Sequence, residues 1–311
     1  MNPALQGYLA AVEESLAEPG PLTESAGQLR ALAEAVEGST PLLSTVNDGS
    51  IPVAQRRAVL ARLVEGKVRP EVARLVHQAV TVVPAGEVVA AFRWLAGRLE
   101  RLGAGEPATE ELLGRLGSRN RVAGYAAAVF EGQSASELEE IEDQLFRFAR
   151  TVEADRRLRI ALGDRDLPVE VRQQVIASLL GTKVLPATTR LAAYAVRGGR
   201  ARDIVTTLDV LVEEAARARG WRVARVQAAS EVDEAQGRAL SEALAHLTGN
   251  PVDLQVTVDP ALLGGVVVQV GDLLVDSSTR HRLDELKERL LASEEAYRIP
   301  GTTTGREAHD G

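Results

Sequence analysis

Through most of the chain apolar residues recur at three- and four-residue spacing, with Pro and Gly between the segments, which is the pattern of amphipathic helices. In the stretch 121–219 this spacing predicts helices near 121–132, 135–152, 154–162, 168–180, 187–197 and 200–219. Leu138, Ile141, Leu145, Phe148 and Val152 form the apolar stripe of the second. Pro168 and Pro186 stand where a first helical turn tolerates a missing N–H, as do Pro52 and Pro70 upstream. After Gly220 the period changes. Val252, Leu254, Val256 and Val258 alternate with polar residues, predicting a half-buried strand with Leu254 and Val256 inward. The predicted order there is a strand at 222–229, a helix at 231–248, a strand at 252–258, a hairpin of 264–270 and 273–276 turning at Gly271-Asp272, and a closing helix at 278–292. Ser230 and Asp233 stand in capping-box spacing ahead of the first helix. Residues 293–311 lack periodicity and read as a disordered tail.

The helical part is duplicated. Ile51 to Val76 aligns without gaps on Leu167 to Ala192, sharing Pro52, Val53, Arg56, Val59, Ala61, Leu63, Lys67, Val68, Pro70, Arg74 and Leu75 with their counterparts 116 positions on. Gly7-Tyr8 with Ala10-Ala11-Val12 likewise echoes Gly124-Tyr125 with Ala127-Ala128-Val129 at an offset of 117. The predicted fold is therefore α+β and mostly α, two tandem helical bundles of about six helices each followed by a small α/β domain with a mixed sheet. The expected divisions are a first bundle over 1–101, a linker over 102–120, a second bundle over 121–219, the α/β domain over 220–292 and the tail.

Composition narrows the function. The chain has 311 residues, 45% of them apolar but only 3% aromatic, so its cores are aliphatic and ring platforms for bases or sugars are not expected. A net charge of −8, with no segregated basic patch in the sequence, argues against nucleic acid as a partner. There is no Cys, which removes disulfides, thiolate metal sites and Cys nucleophiles. No apolar run approaches the roughly 20 residues of a membrane span, and the acidic start lacks a signal peptide's basic region.

Catalytic spacings are missing as well. His77, His246, His281 and His309 include no pair at metal-ligand spacing, and the GxSxG, GxGxxG and Walker A patterns do not occur. Gly181-Thr182-Lys183 lacks the upstream glycine and strand of a phosphate loop and reads as a helix C-cap. The acidic run Glu139-Glu140 with Glu142-Asp143 reads as a solvated helix face. Trp94 and Trp221 read as anchors at domain junctions, and Gly264-Gly265 as a sharp turn into a strand. No catalytic residue, cofactor site or metal site is assigned.

Val258 to Leu290 nevertheless carries a specific pattern: Asp259-Pro260, Leu263-Gly264-Gly265, Gly271-Asp272, Asp276, Ser278 and Leu283. In order and spacing it resembles the C-terminal signature of the ATP synthase delta subunit, the oligomycin-sensitivity-conferring protein family. SRNRVAGYAAAVFE, LFRFARTVEADRRLRIAL and LPVEVRQQVIASLL are similar to that family's helical domain, so the ordinary family corresponds to residues 121–291. The additional first copy is similar to the actinobacterial versions with a duplicated helical unit. In some of those a membrane-anchored b-type segment is fused in front, and the sequence leaves the free-standing and fused forms both open.

The resemblance implies a non-catalytic structural subunit of the peripheral stalk of the rotary proton-translocating ATP synthase. Such a subunit links the α/β catalytic head to the b stalk, resists torque and is peripheral to the cytoplasmic face of the bacterial plasma membrane. The implied partners are the N-terminal helix of an α subunit and the C-terminal end of the b subunit, in a hetero-oligomer holding one copy of this chain, with no nucleic acid and no membrane span of its own. A groove between two amphipathic helices can take a partner helix. Tyr125, Ala128 and Val129 of the second copy's first helix, with Leu191, Tyr194 and Ala195 of its fifth, are the candidate groove for the α-subunit helix. The first copy is expected to brace the stalk or another part of the head. Asp259, Pro260, Gly264, Gly265, Gly271, Asp276 and Ser278 are expected to make the fold rather than a reaction, with Gly271 in the hairpin turn and Asp276 or Ser278 capping the last helix. The alternative readings are a helical protein-binding adaptor or regulator unrelated to ATP synthase, and a small-molecule enzyme built on the Gly264-Gly265 region.

Overall fold

The computed structural model describes residues 1–16, 19–106, 113–164, 166–199, 204–248, 251–260, 262, 264–270 and 273–276. The chain divides into two compact units, Met1–Arg219 and Gly220–Gly311. The predicted closing helix, the tail, Gly271 and Ser278 lie outside the described residues, as do 107–112 of the linker.

Among the described residues the first unit has helices and no strands. The first copy comprises α1 (Pro3–Ser15), α2 (Pro19–Glu37), α3 (Thr40–Asn47), α4 (Val53–Val64), α5 (Pro70–Val82) and α6 (Val88–Gly103). The second comprises α7 (Arg115–Phe130), α8 (Ala135–Ala154), α9 (Arg156–Gly163), α10 (Val169–Leu180), α11 (Pro186–Gly198) and α12 (Ile204–Ala218). Sequence sets these boundaries. Pro70 and Pro186 occupy first-turn positions and Pro52 and Pro168 are N-caps. Ser134 and Glu137 close a reciprocal capping box on α8, and the Asp155 carboxylate accepts the N–H groups of Arg157 and Leu158 at the start of α9. Gly181, at φ 49°, ends α10 as a C-cap. Only α7 departs clearly from the predicted boundaries, starting at Arg115 rather than 121. Gly114 is its N-cap and Gly117 lies inside it, where a helical glycine costs only about 1 kcal/mol, which the well-packed remainder of α7 offsets.

Equivalent residues do equivalent work in the two copies. The Gln28 side chain accepts the Arg69 N–H at 2.8 Å, and Gln144, its counterpart, accepts the Leu185 N–H at 2.9 Å. Buried Arg56 donates to the Val46 carbonyl at 3.5 Å and buried Arg172 to the Leu162 carbonyl at 3.3 Å. Such guanidiniums tie the fourth helix of each copy to the chain before it, satisfying donors that burial removes from water.

The second unit has strands β1 (Arg222–Ala228), β2 (Val252–Val258), β3 (Val266–Val270) and β4 (Leu273–Asp276), with helix α13 (Glu234–Thr248) between β1 and β2. The sheet order is β2-β1-β3-β4, mixed, with β1 parallel to β2 and antiparallel to β3. The parallel pair needs the α13 crossover and the antiparallel pair β3-β4 a short turn, as the sequence pattern requires. Val226, Leu244, Val252, Val268 and Val270 are the core, with Leu254 and Val256 packed against it. Two details differ from expectation. The cap of α13 is Asp233, not Ser230: Asp233 and Gln236 form the reciprocal box at 2.8 and 3.1 Å, so the helix starts at Glu234. β3 starts at Val266 because Gly264 and Gly265 have φ of 140° and 81°, which only glycine adopts readily, and together they turn the chain into the strand.

Candidate functional site

The helices that carry the six candidate groove residues lie side by side. Tyr125, Ala128 and Val129 are on α7, and Leu191, Tyr194 and Ala195 on α11, with the Tyr125 and Tyr194 rings stacked at 3.7 Å between centroids. The face they form is not open, because all six are at most 8% exposed. α1 of the first copy crosses α7 beside this face.

The α1–α7 crossing explains the glycines in the duplicated Gly-Tyr pair. A Cβ on Gly7 would lie 1.7 Å from the Arg121 carbonyl oxygen, and one on Gly124 would lie 1.9 Å from that of Ala4. Only glycine at both positions lets the two backbones approach this closely. The contacts on either side of the crossing are reciprocal. The Tyr125 hydroxyl donates to the Glu14 carboxylate at 2.6 Å, while Tyr8 donates to Glu131. Arg190 lies 3.4 Å from Glu14, while Arg74 lies 3.7 Å from Glu131. Since Tyr8, Glu14 and Arg74 are the repeat counterparts of Tyr125, Glu131 and Arg190, the copies meet as the halves of an isologous dimer do. Burial first, and then the neighbouring carboxylate, push both tyrosine hydroxyls well above their ordinary pKa, so both phenols stay protonated. The repeat alignment contained Tyr8, Tyr125, Arg74 and Arg190, while Glu14 and Glu131 lie two residues past the aligned Ala10-Ala11-Val12 and Ala127-Ala128-Val129. What it lacked was the statement that the copies touch.

One carboxylate of the acidic run on α8 is not on a solvated face. Glu142 is buried and pairs with Arg219, whose side chain is also buried. Trp94 lies half-buried beside a recess at the copy junction, and Trp221 is 40% exposed.

In the second unit the signature residues hold the loop between β2 and β3. The Asp259 N–H donates to the Ala228 carbonyl at 2.9 Å, the Leu262 N–H to the Asp259 carbonyl at 3.1 Å, and the Ala229 N–H to the Gly265 carbonyl at 3.3 Å. Pro260 lies in this turn, and Asp276 closes β4 opposite Val267. Among the described residues no group of three or more His, Asp or Glu could hold a metal ion, and no helix is long and apolar enough to cross a membrane.

Comparison with known proteins adds identity to this geometry. The family model for the ATP synthase delta (OSCP) subunit matches residues 122–290. ATP synthase subunit delta of Salinispora arenicola is 33% identical over 274 residues, 88% of this chain and 90% of that protein. The same subunit of Kineococcus radiotolerans is 32% identical over 287 residues, 91% and 95% of the two chains, so the likeness takes in most of the first copy too. A chain of the Toxoplasma gondii mitochondrial ATP synthase hexamer is 19% identical with a TM-score of 0.40, covering 56% of this chain and 97% of that one, which is too slight a likeness to add to the argument. With the family model spanning the second helical copy and the sheet, and relatives matching nearly end to end, the chain belongs to the ATP synthase delta (OSCP) subunit family.

Proposed function

We propose that this chain is a non-catalytic structural subunit of the peripheral stalk of a rotary ATP synthase, linking the α/β catalytic head to the b stalk and resisting torque at the cytoplasmic face of the bacterial plasma membrane. The family match over residues 122–290 carries this reading. The copy junction supports it: a glycine crossing flanked by reciprocal Tyr–Glu–Arg sets is rigid, and a stator must not yield under load. In this reading the second unit takes the end of the b stalk and the second copy takes the N-terminal helix of an α subunit, one chain per complex, while the first copy braces the second.

Because all six residues of the α7–α11 face are buried and α1 crosses α7 there, we place the head's helix at the recess between α7 and α12. That recess holds about 350 Å3, with Val122 and Val210 in its lining and Leu116, 72% exposed, beside them. An amphipathic helix would set its apolar face there and acidic flanks against Arg115 and Arg119. Titrating an α-subunit N-terminal peptide against the full chain tests the placement. Leu116→Asp, which changes an exposed side chain and leaves circular dichroism intact, should weaken binding about tenfold or more. Undiminished binding would put the helix elsewhere.

A further inference from the structure

The two halves of the copy junction differ in what surrounds the Tyr–Glu pair. Beside Tyr8 and Glu131 stand Arg57 of α4 and His77 of α5, whereas the mirrored positions, 116 residues on, hold Gln173 and Ala193. There the Gln173 amide donates to the Ala193 carbonyl at 3.3 Å, a contact that does not titrate. That half packs with neither an arginine nor a histidine at these positions, so the fold of the junction does not demand them. His77 is also the one histidine of the first unit, because the other three lie beyond Gly220. With no Cys in the chain, it is the side chain of that unit whose ordinary pKa falls between pH 5 and 8.

The His77 ring is half-buried, and its Nε2 is buried with no hydrogen-bond partner among the described residues. Two charges act on it, the Arg57 guanidinium and the Glu131 carboxylate, while Arg74 stands one turn earlier on α5. Among the described residues no charge from α2 or α6, which also pack on α5, acts on the ring. Neutral imidazole can leave an acceptor nitrogen idle, but imidazolium has two N–H donors, and a buried donor without an acceptor costs free energy. The carboxylate that acts on the ring is already engaged, since Glu131 accepts from Tyr8 and lies 3.7 Å from Arg74. A proton on His77 therefore either leaves its Nε2–H unsatisfied or draws Glu131 from Tyr8, whose buried hydroxyl then loses its acceptor. Both outcomes weaken this half of the junction. Burial first, and then Arg57, hold the His77 pKa below its ordinary 6.5 against the opposing pull of Glu131. An opened junction takes the proton more readily, so this half's contribution is complete above pH 6.5 and is lost as pH falls below it. Tyr125, Glu14 and Arg190 in the other half are of types that keep their charge state across this range.

We propose that His77 is a proton-sensitive latch of the copy junction: acidification from neutrality to about pH 5.5 loosens the Tyr8–Glu131 half of the α1–α7 crossing while the Tyr125–Glu14 half holds. Amide hydrogen exchange of the full chain, wild type against His77→Gln, tests this. Peptides from α1 and α7 are compared between the two proteins at pH 7.5 and again at pH 5.5, so that the intrinsic exchange rate cancels at each pH. The wild-type-to-variant ratio of exchange rates should rise about threefold or more between the two conditions, with about tenfold as the ceiling that one proton sets one pH unit below its open-state pKa. A ratio that stays the same overturns the proposal. If His77→Gln does not fold, the titration of His77 itself carries the test. In the full chain with His246, His281 and His309 replaced by Gln, the one remaining imidazole NMR signal should titrate with a midpoint below 6.5, and Arg57→Gln, on an exposed side chain, should raise it by removing a cation that opposes protonation. A midpoint at or above 6.5, or one that Arg57→Gln leaves in place, overturns the proposal equally.

Discussion

Gly7 and Gly124 mark the point where the two copies of the helical repeat come closest, each facing the backbone of the other's helix. A methyl group at either would lie under 2 Å from a carbonyl oxygen, at 1.7 and 1.9 Å respectively. Backbone cannot rotate aside as a side chain can. Gly124→Ala should therefore force α1 and α7 apart and cost about 3 kcal/mol or more, at the upper end of overpacking effects. Gly97→Ala, with open space around its Cβ position on α6, should be neutral or slightly stabilising. Chemical denaturation of the two variants checks the pair.

The reciprocal tyrosines make the junction sensitive to alkali. Their folded pKa values are raised above the ordinary 10.0, so the stability they contribute is complete below about pH 10 and is lost as pH rises beyond it, when the unfolded state ionises and the folded state resists. Thermal unfolding followed from pH 8 to 11 should show this loss. The double variant Tyr8→Phe/Tyr125→Phe should be less stable at pH 8 and show a flatter decline above pH 10.

The Glu142–Arg219 pair takes two charges out of water, and Glu139 lies 3.6 Å from the same guanidinium, so removing Glu142 takes away the buried carboxylate and leaves the exposed one. Glu142→Ala should cost about 3–5 kcal/mol. Glu140→Ala, two residues away on the exposed side of α8, should change stability by less than about 0.5 kcal/mol. Urea midpoints of the two variants distinguish a buried pair from a solvated face.

In the second unit Val256 packs against the sheet core while Thr257 is exposed. Val256→Asp should cost roughly 3 kcal/mol and Thr257→Asp little. Equal thermal destabilisation would contradict the orientation of β2.

Much of this architecture is written in local pattern. Helices and strands follow from periodicities of 3.6 and 2, and helix starts follow from Pro52, Pro70, Pro168 and Pro186, because caps and apolar stripes are properties of short stretches. The candidate groove shows where local pattern stops. Tyr125, Leu191 and Tyr194 do lie together, but an apolar face awaiting a partner and one covered by another part of the same chain have the same sequence. Leu191 and its counterpart Leu75 are both 0% exposed, so Asp at either would unfold its copy rather than test a binding site. Glu142 is a similar case, its burial being decided by Arg219, far along the chain. The signal that the copies join was present in Gly7-Tyr8 and Gly124-Tyr125, since a glycine kept twice in a helix interior implies close approach.

The stator role itself is tested most directly by purifying the tagged full chain from its native cells under mild detergent and identifying what comes with it. The expected result is co-purification of the α and β subunits of the catalytic head together with a b-type stalk subunit, with one copy of this chain per head. Recovery of the chain without head subunits, under conditions in which the remaining ATP synthase stays assembled, would contradict the account.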